Sequence, residues 1–420
     1  MNLAPPRGTR DFFPEDTALR NWLFDHFTQV ARLFAFEAYD APVVESADLY
    51  TRKAGEEIVD QLYAFADKGG RQLALRPEMT PSLARMVLQK GRSLALPIKW
   101  YSIPQCWRYE RMTRGRRREH YQWNMDVFGV EDQSAEIELL AAITTFFKRV
   151  GLGPDDVGIK ISNRRILQSA LERLGVPEDR FAQVCVLVDK LEKQPREAIK
   201  GEMVALGLEP DLVDRIVELL ALTTLEQVAD FLGDKDPGVE EVRQLFELAD
   251  RGYGLGPWLR FDPSLVRGLA YYTGVVFEAF DRGASLRAIC GGGRYDRLLS
   301  TFGGQDIPAC GFGFGDAVIF ELLKEKNLLP DLPNQLDDLV FPFAAELRPA
   351  AMEVAARLRA KGRTTELVLQ DKKMKWALKR ANQLGARRLV LLAPQEWEAG
   401  KVRVKDLATG GEEDLSLEDL

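Results

Sequence analysis

Histidine and cysteine are both scarce in this chain of 420 residues, which contains two of the first and four of the second. Two histidines cannot build a histidine-rich metal site. The four cysteines lie far apart in the sequence and form no CxxC pair, which argues against structural zinc and against a disulfide framework. We therefore expect no zinc and no metal ion held by protein side chains.

Long apolar runs are also missing. The sequence has no apolar stretch of about 18 residues or more, and its first residues do not follow a signal-peptide pattern. We therefore expect a cytoplasmic protein without a membrane partner. The net charge of −7 does not indicate a nucleic-acid binder, so any basic surface must be local. The length predicts two or three domains.

The most informative segment is residues 105–122, QCWRYERMTRGRRREHYQ. Two strand-like stretches flank a loop with many arginines. Arg108 and Glu110 would share one face of the first strand, where the arginine could hold a phosphate and the carboxylate an amino-bearing ring. The loop predicts a surface for a polyanion, although a solvated hairpin with a charged tip would show the same pattern. The loop arginines are Arg111, Arg114, Arg116, Arg117 and Arg118.

This arrangement resembles motif 2 of the class II aminoacyl-tRNA synthetases, and within that class the chain is most similar to the histidyl-tRNA synthetases. Three further segments carry the resemblance: LALRPEMTPSLAR at 73–85, LVRGLAYYTGVVFEAF at 265–280 and CGGGRYDRL at 290–298. The last two resemble the signature peptides that separate the histidine enzymes from the rest of the class. The likeness covers most of the chain and is weakest at 165–250.

The resemblance implies an α+β catalytic domain with an antiparallel, six-stranded class II sheet, a helical insertion and a C-terminal α/β anticodon-binding domain. Helical segments separated by Gly and Pro at 165–250 agree with the insertion. Alternating strands and helices near the end agree with the last domain. The predicted parts are 1–163 (motifs 1 and 2), 164–255 (insertion), 256–327 (histidine signatures and motif 3) and 335–420 (anticodon-binding domain). A helix and strand around Pro42 resemble motif 1, which implies a homodimer.

The activity implied by the resemblance is that of a histidine–tRNA ligase, with histidine and tRNA(His) as partners, ATP as a substrate and Mg²⁺ bound with the nucleotide. The implied catalytic residues are Arg108 and Arg267, whose fixed charges would stabilise the α-phosphate as it reacts. The implied histidine-binding residues are Glu78, Thr80, Gln122, Asp126, Arg267, Tyr271, Tyr272 and Tyr295. The implied ATP-binding residues are Arg108, Glu110, His120 and Gln122. The implied tRNA-binding residues are Arg114, Arg116, Arg117, Arg118, Lys372 and Lys375.

Residue chemistry agrees with some of these roles. Thr80 followed by Pro81 predicts a helix N-cap, which would hold Glu78 rigidly in front of a ligand amine. A buried tyrosine left unpaired by a wrong substrate is costly, although any single tyrosine could equally be a core residue. The basic residues at 372–380 are predicted to lie on one helix, either as a solvated face or as a contact for tRNA.

Two positions depart from the family pattern. Val318 stands where motif 3 normally ends in an arginine for the γ-phosphate, and Ala270 replaces an acidic residue. Either another arginine, for example Arg114 or Arg116 of the loop, serves the γ-phosphate instead, or ATP chemistry is lost. In the second case the chain would be a non-catalytic histidine-binding subunit that regulates ATP phosphoribosyltransferase, or an RNA-binding scaffold. The intact motif 2 residues and the C-terminal domain favour the active ligase.

Overall fold

The computed structural model describes residues 3–51, 60–191, 194–265, 271–332 and 336–420. The chain divides into two compact units, Met1–Leu329 and Pro330–Leu420. The predicted catalytic residue Arg267 and the atypical Ala270 lie outside the described residues.

The described strands number seventeen. In chain order they are β1 (Glu37–Ala38), β2 (Val44–Ser46), β3 (Tyr63–Ala66), β4 (Gln72–Leu75), β5 (Ile98–Ser102), β6 (Gln105–Trp107), β7 (Glu119–Phe128), β8 (Val157–Asn163), β9 (Leu259–Phe261), β10 (Val275–Asp281), β11 (Cys290–Arg294), β12 (Ala309–Gly315), β13 (Asp338–Pro342), β14 (Thr365–Leu367), β15 (Arg388–Leu392), β16 (Lys401–Asp406) and β17 (Glu412–Ser416).

The described helices follow the same order. They are α1 (Pro14–Leu33), α2 (Asp48–Thr51), α3 (Thr80–Lys90), α4 (Ser134–Arg149), α5 (Arg164–Leu174), α6 (Phe181–Asp189), α7 (Arg196–Ala205), α8 (Pro210–Leu220), α9 (Leu225–Leu232), α10 (Pro237–Tyr253), α11 (Leu298–Thr301), α12 (Asp316–Glu325), α13 (Arg348–Ala360), α14 (Met374–Gln383) and α15 (Pro394–Glu398). Short 3-10 helices occupy Gly91–Ser93, Glu178–Arg180, Gly256–Trp258 and Ala345–Leu347.

The first unit is built on one large sheet with the strand order β1-β5-β7-β12-β11-β10-β8-β9, and β6 pairs with β7. The six strands from β5 to β8 in this order are antiparallel to their neighbours. Parallel strands are added at both edges, β1 beside β5 and β9 beside β8. The predicted antiparallel class II sheet is therefore confirmed. A smaller sheet contains β2, β4 and β3.

The central strand β12 shows how the sequence separates the core from the opposite face. Its sequence ACGFGFG alternates bulky and small residues, and successive side chains of a strand point to opposite faces. Phe312 and Phe314 join the aromatic core, where the ring centroid of Phe314 lies 5.1 Å from that of Phe146 in α4. Gly311 and Gly313 leave space on the other face, where the candidate site lies.

The helical insertion is present and has its own core. Helices α5 to α10 lie between β8 and β9 in the chain. Val184, Met203 and Ile216 from three of these helices are fully buried together. Thr224 and Gln227 form a capping box at the start of α9, which satisfies backbone N–H groups that the helix leaves unpaired.

The second unit confirms the predicted α/β domain. Its sheet has the order β14-β13-β15-β16-β17, with parallel pairing of β13 to β14 and β15 and antiparallel pairing beyond. One prediction is wrong here, because α14 begins at Met374 and Lys372 and Lys373 precede it. Lys373 has an extended backbone (φ −82°, ψ 151°), so the basic residues do not share one helix.

Candidate active site

The open face of β7 and β12 forms the floor of the candidate site. His120, Gln122 and Asp126 alternate along β7 and therefore project to the same side of the sheet. A Cβ atom added at Gly311 would collide with Asp126, and one at Gly313 would collide with Gln122. Glycine is thus required at these two positions of β12 because polar side chains of β7 lie directly over its backbone.

Two acids and three tyrosines line one end of this floor, and we call Glu78, Asp126, Tyr271, Tyr272 and Tyr295 the tyrosine pocket. The Tyr271 hydroxyl donates to Glu78 Oε2 over 3.0 Å, and the Tyr295 hydroxyl donates to Asp126 Oδ1. The ring centroids of the tyrosines lie 5.3–6.4 Å apart. Residues from four separate parts of the sequence are therefore brought together as predicted partners of one small ligand.

Thr80 reaches the same cluster but not as a helix cap. Helix α3 begins at Thr80 with Met79 at the N-cap position, and no side chain caps it. Thr80 is the first helical residue and lies close to the Tyr271 side chain. The predicted N-cap role of Thr80 is therefore wrong by one residue.

Burial raises the pKa of both acids in the pocket. Burial raises the pKa of Asp126 to about 7, the Tyr295 hydrogen bond opposes that shift, and the charge of Glu78 adds to it. Burial also raises the pKa of Glu78, against the nearby positive charge of Arg108. Asp126 Oδ2 is buried without a hydrogen-bond partner among the described residues. Such an oxygen is costly unless a ligand satisfies it.

Tyr39 is a pocket candidate that the sequence did not indicate. Its hydroxyl is buried without a partner among the described residues, as is Asp126 Oδ2. Tyr39 packs against the cluster that contains Tyr272 and Tyr295, and burial and then the charge of Asp126 raise its pKa well above the usual value. Tyr39 follows the two-residue strand β1, and no motif marks that position.

Arg108 and His120 lie at the other end of the floor. The prediction that Arg108 and Glu110 share a strand face is wrong, because β6 ends at Trp107 and the chain beyond it is irregular. Arg108 Nε donates to the carbonyl oxygen of Pro77 over 2.9 Å, close to Glu78. Burial and then four arginine charges lower the pKa of His120 to about 3. The imidazole is therefore neutral and can stack on an aromatic ring.

The arginine-rich loop is held by carboxylates of the chain itself. Glu110 forms an ion pair with Arg116. Arg114 reaches Glu321 at 3.1 Å and Glu325 at 2.5 Å on α12. Thr113 and Arg116 close a tight turn by backbone hydrogen bonds. Both arginines that were predicted to replace the motif 3 arginine are thus engaged elsewhere when no ligand is bound.

The remaining predicted tRNA contacts have different environments. Arg117 is exposed, whereas the Arg118 guanidinium lies 3.8 Å from the Tyr109 ring centroid and its Nε donates to the carbonyl of Glu110. Lys372 and Lys375 are exposed in the second unit, and Lys372 Nζ lies 5.5 Å from the ring centroid of Trp376. An exposed tryptophan among lysines is typical of surfaces that stack nucleic-acid bases.

Arg10 was not indicated by the sequence, yet it joins three segments beneath the loop. It contacts Glu119 at 3.2 Å and Asp316 at 2.9 Å, and both carboxylates are almost fully buried. Asp316 Oδ1 also accepts from the backbone N–H of Tyr121. The N-terminal segment, β7 and the first residue of α12 are thereby fixed to one another.

Comparison with known proteins decides the family. The profile described as histidyl-tRNA synthetase matches residues 8–315, and that described as anticodon binding domain matches residues 337–420. The chain belongs to the histidyl-tRNA synthetase family. The aminoacyl-tRNA ligase class predicted from the sequence is thus confirmed at the level of the family, as is the C-terminal domain.

Individual members of the histidyl-tRNA synthetase family match this chain over nearly its whole length. Histidine–tRNA ligase, chloroplastic/mitochondrial, from Arabidopsis thaliana is 56% identical over 100% of this chain and 86% of its own length. Histidine–tRNA ligase from Opitutus terrae is 41% identical over 98% of this chain and 95% of its own length. The crystal structure of histidyl-tRNA synthetase from Nostoc sp. PCC 7120 superimposes with a TM-score of 0.79 at 25% identity, over 100% and 98% of the two chains.

The described residues contain no group of three or more His, Cys, Asp and Glu side chains placed to hold a metal ion. No helix in the described ranges is long and apolar enough to cross a membrane.

Proposed function

We propose that this chain is an active histidine–tRNA ligase. It forms histidyl-adenylate and pyrophosphate from histidine and ATP, and then transfers the histidyl group to the 3′ end of tRNA(His). The observation that carries the proposal is the tyrosine pocket, where two buried acids are bonded to tyrosines and one of them, Glu78, lies near Arg108. This is the set of groups needed to bind an amino acid with a polar ring next to a reacting phosphate.

Histidine would bind with its amino group toward Glu78 and Thr80 and its imidazole toward Asp126, Tyr272 and Tyr295. The unpaired Oδ2 of Asp126 is available to accept from an imidazole N–H. An isosteric side chain without that donor would leave a buried acid unsatisfied, which is a strong basis for rejection. Gln122 lies over Gly313 between the two ends of the floor, within reach of both substrates.

ATP would bind as its Mg²⁺ complex at the other end of the floor. Arg108 would stabilise the charge that develops on the α-phosphate when the histidine carboxylate attacks it. The neutral ring of His120 would stack on the adenine. Glu110 would accept from the adenine amino group, which requires it to release Arg116. Arg116 would then be available to a phosphate.

Arg267 lies outside the described residues, and its role as the second catalytic cation stays a prediction. Arg267→Ala should abolish adenylate formation while leaving the fold intact, as measured by pyrophosphate exchange and by circular dichroism. Near-normal exchange in this variant would remove Arg267 from the mechanism.

The tRNA would be read by both units. We propose that Arg114, Arg116, Arg117 and Arg118 approach the acceptor end and that Lys372 and Lys375 approach the anticodon region. We also propose a homodimer, the domain limits given above and a cytoplasmic location. The Arabidopsis relative is named chloroplastic/mitochondrial, so fractionation of the source cells is the test of location.

The decisive experiment is ATP–pyrophosphate exchange by the purified chain with Mg²⁺ and without tRNA. Exchange that depends on histidine, and that no other amino acid supports, is expected. Histidine binding without exchange would contradict the proposal. That result would favour the regulatory subunit of ATP phosphoribosyltransferase and would assign the loss of chemistry to Val318.

A further inference from the structure

The register of the large sheet places Tyr39 on the face that carries the site. The Tyr39 N–H donates to the carbonyl oxygen of Tyr101 over 3.0 Å, so the pairing of β1 with β5 continues through Tyr39. Trp100 of β5 lies opposite Glu37 on one side and Asp126 on the other, and paired residues project to the same face. Tyr39, two residues after Glu37, projects to that face as well.

Side-chain contacts agree with this placement. The ring centroid of Tyr39 lies 5.7 Å from that of Trp100, whose backbone is the direct neighbour of Asp126 in the sheet. Tyr39 also packs against the cluster that contains Tyr272 and Tyr295. The Tyr39 side chain therefore borders the end of the tyrosine pocket that Asp126 and Tyr295 form.

The Tyr39 hydroxyl differs from those of two other tyrosines at the pocket in its hydrogen bonding. The Tyr271 hydroxyl donates to Glu78. The Tyr295 hydroxyl donates to Asp126. The Tyr39 hydroxyl and Asp126 Oδ2, in contrast, are both buried without a partner among the residues that the structure describes. This end of the pocket thus holds an unused donor and an unused acceptor, and each is costly to bury unless a ligand satisfies it.

A neutral imidazole matches this pair of groups. Its ring carries one N–H donor and one bare nitrogen that accepts. The N–H can donate to Asp126 Oδ2, and the bare nitrogen can accept from a phenolic O–H. Protonation of the ring would replace the acceptor with a second donor, and an apolar ring would leave both groups of the pocket unsatisfied.

We propose that Tyr39 is a specificity-determining residue whose hydroxyl donates to the bare ring nitrogen of bound histidine, while Asp126 accepts from the ring N–H. The inference deepens the proposed function and rests on it. It adds Tyr39 to the residues that recognise the amino-acid side chain, and it makes the neutral imidazole the bound form.

The test compares histidine with its two pyrrole analogues, in which one or the other ring nitrogen is replaced by CH. Each analogue keeps one N–H and lacks the bare nitrogen. The analogue that the wild-type chain binds more tightly has its N–H directed at Asp126. Tyr39→Phe should weaken histidine binding, measured by calorimetry without nucleotide, by about 3- to 10-fold, since one hydrogen bond to a neutral group is lost. Binding of the tighter analogue should not change.

Tyr50→Phe is the matched control. Tyr50 is also buried, but its hydroxyl shares a hydrogen bond of 3.2 Å with Ser82. Tyr50→Phe should lower the urea midpoint of the free chain and leave the affinity for histidine unchanged. Tyr39→Phe should do the reverse, with a urea midpoint at or above that of the wild type, because it removes a buried hydroxyl that has no partner among the described residues.

The outcomes separate this inference from the proposed function. Unchanged histidine affinity in Tyr39→Phe would overturn the inference. An equal loss for histidine and the tighter analogue would also overturn it, because Tyr39 would then shape the pocket without contacting the bare nitrogen. A lower urea midpoint for Tyr39→Phe would do the same, since the hydroxyl would then have a partner within the chain.

Two results for the wild-type chain bear on the proposed function. Histidine binding without pyrophosphate exchange would contradict the proposed function alone, and the comparison of ligands would still decide the role of Tyr39. A wild-type chain that does not bind histidine would contradict both.

Discussion

The two ends of the active-site floor differ in how their charges are satisfied. In the tyrosine pocket, Glu78 and Asp126 are bonded to tyrosine hydroxyls and Asp126 keeps one oxygen for a ligand. In the arginine-rich loop, Arg114 and Arg116 are neutralised by carboxylates of the chain. The pocket is thus prepared for a small ligand, whereas Arg114 and Arg116 of the loop must exchange their partners before they can bind a phosphate.

At the tyrosine pocket, a buried ion pair holds the end of strand β11, next to Tyr295. Arg294, which ends the glycine run of β11, donates to Glu136 from Nε at 2.6 Å and from a terminal nitrogen at 2.7 Å. Glu136→Ala would leave the buried Arg294 guanidinium with only the more distant Asp296, at 3.3 Å, as a counter-charge, so we expect a loss of about 3–5 kcal/mol in the free energy of unfolding. Urea denaturation monitored by tryptophan fluorescence measures it.

The control for this variant is Glu247→Ala. Glu247 pairs with Arg251 at 2.8 Å on the exposed face of α10, where such pairs contribute about 0.5 kcal/mol or less. If both variants lost the same small amount, Arg294 would not be the support of the pocket that its contacts indicate.

The second effect concerns the ligand that the pocket is prepared for. Glu78→Gln keeps the shape of the side chain but removes the charge that faces the histidine amino group. The KM for histidine in pyrophosphate exchange should rise about 10- to 100-fold, as expected when a charged hydrogen bond is lost. Glu45→Gln is the matched control, because Glu45 is also a buried carboxylate but pairs with Arg85 outside the pocket. Similar KM values for the two variants would contradict the assignment of Glu78.

The same contrast explains what the sequence could predict. The order of strands and helices follows from hydrophobic periodicity and glycine positions, and the residues at the pocket lie in recognisable motifs. The partners of the loop arginines could not be predicted, because Glu321 and Glu325 on α12 meet Arg114 only in the folded chain. Tyr39 and Arg10 were missed for the same reason, since their roles depend on contacts distant in sequence.

The third effect is a pH dependence of stability that the pocket should produce without ligand. The pKa of Asp126 is raised to about 7 in the folded chain, from an ordinary value near 3.8. The folded state therefore retains a proton that the unfolded state has lost between about pH 4 and pH 7. The contribution of Asp126 to the free energy of unfolding is fully present below about pH 4 and is lost as the pH rises toward 7.

Asp126→Asn should reduce the slope of the free energy of unfolding against pH in this range, by at most about 1.4 kcal/mol per pH unit. Asparagine can still accept from Tyr295, so the fold should be preserved. Glu78 also has a raised pKa, so some slope should remain in the variant. Urea midpoints at pH 5, 6 and 7 measure the difference, and parallel profiles for both proteins would mean that Asp126 is ionised in the free chain.

The smallest effect should distinguish the two kinds of arginine in the loop. Arg117 is exposed, while Arg116 pairs with Glu110, the proposed adenine contact. Arg117→Ala should reduce tRNA charging a few-fold without changing pyrophosphate exchange, and should lower the salt dependence of tRNA binding by about one phosphate contact. Arg116→Ala should affect both reactions, because Glu110 then has no partner to exchange with the nucleotide. If both variants lost only tRNA charging, the Arg116–Glu110 pair would have no part in ATP binding, and the loop would be a tRNA surface alone.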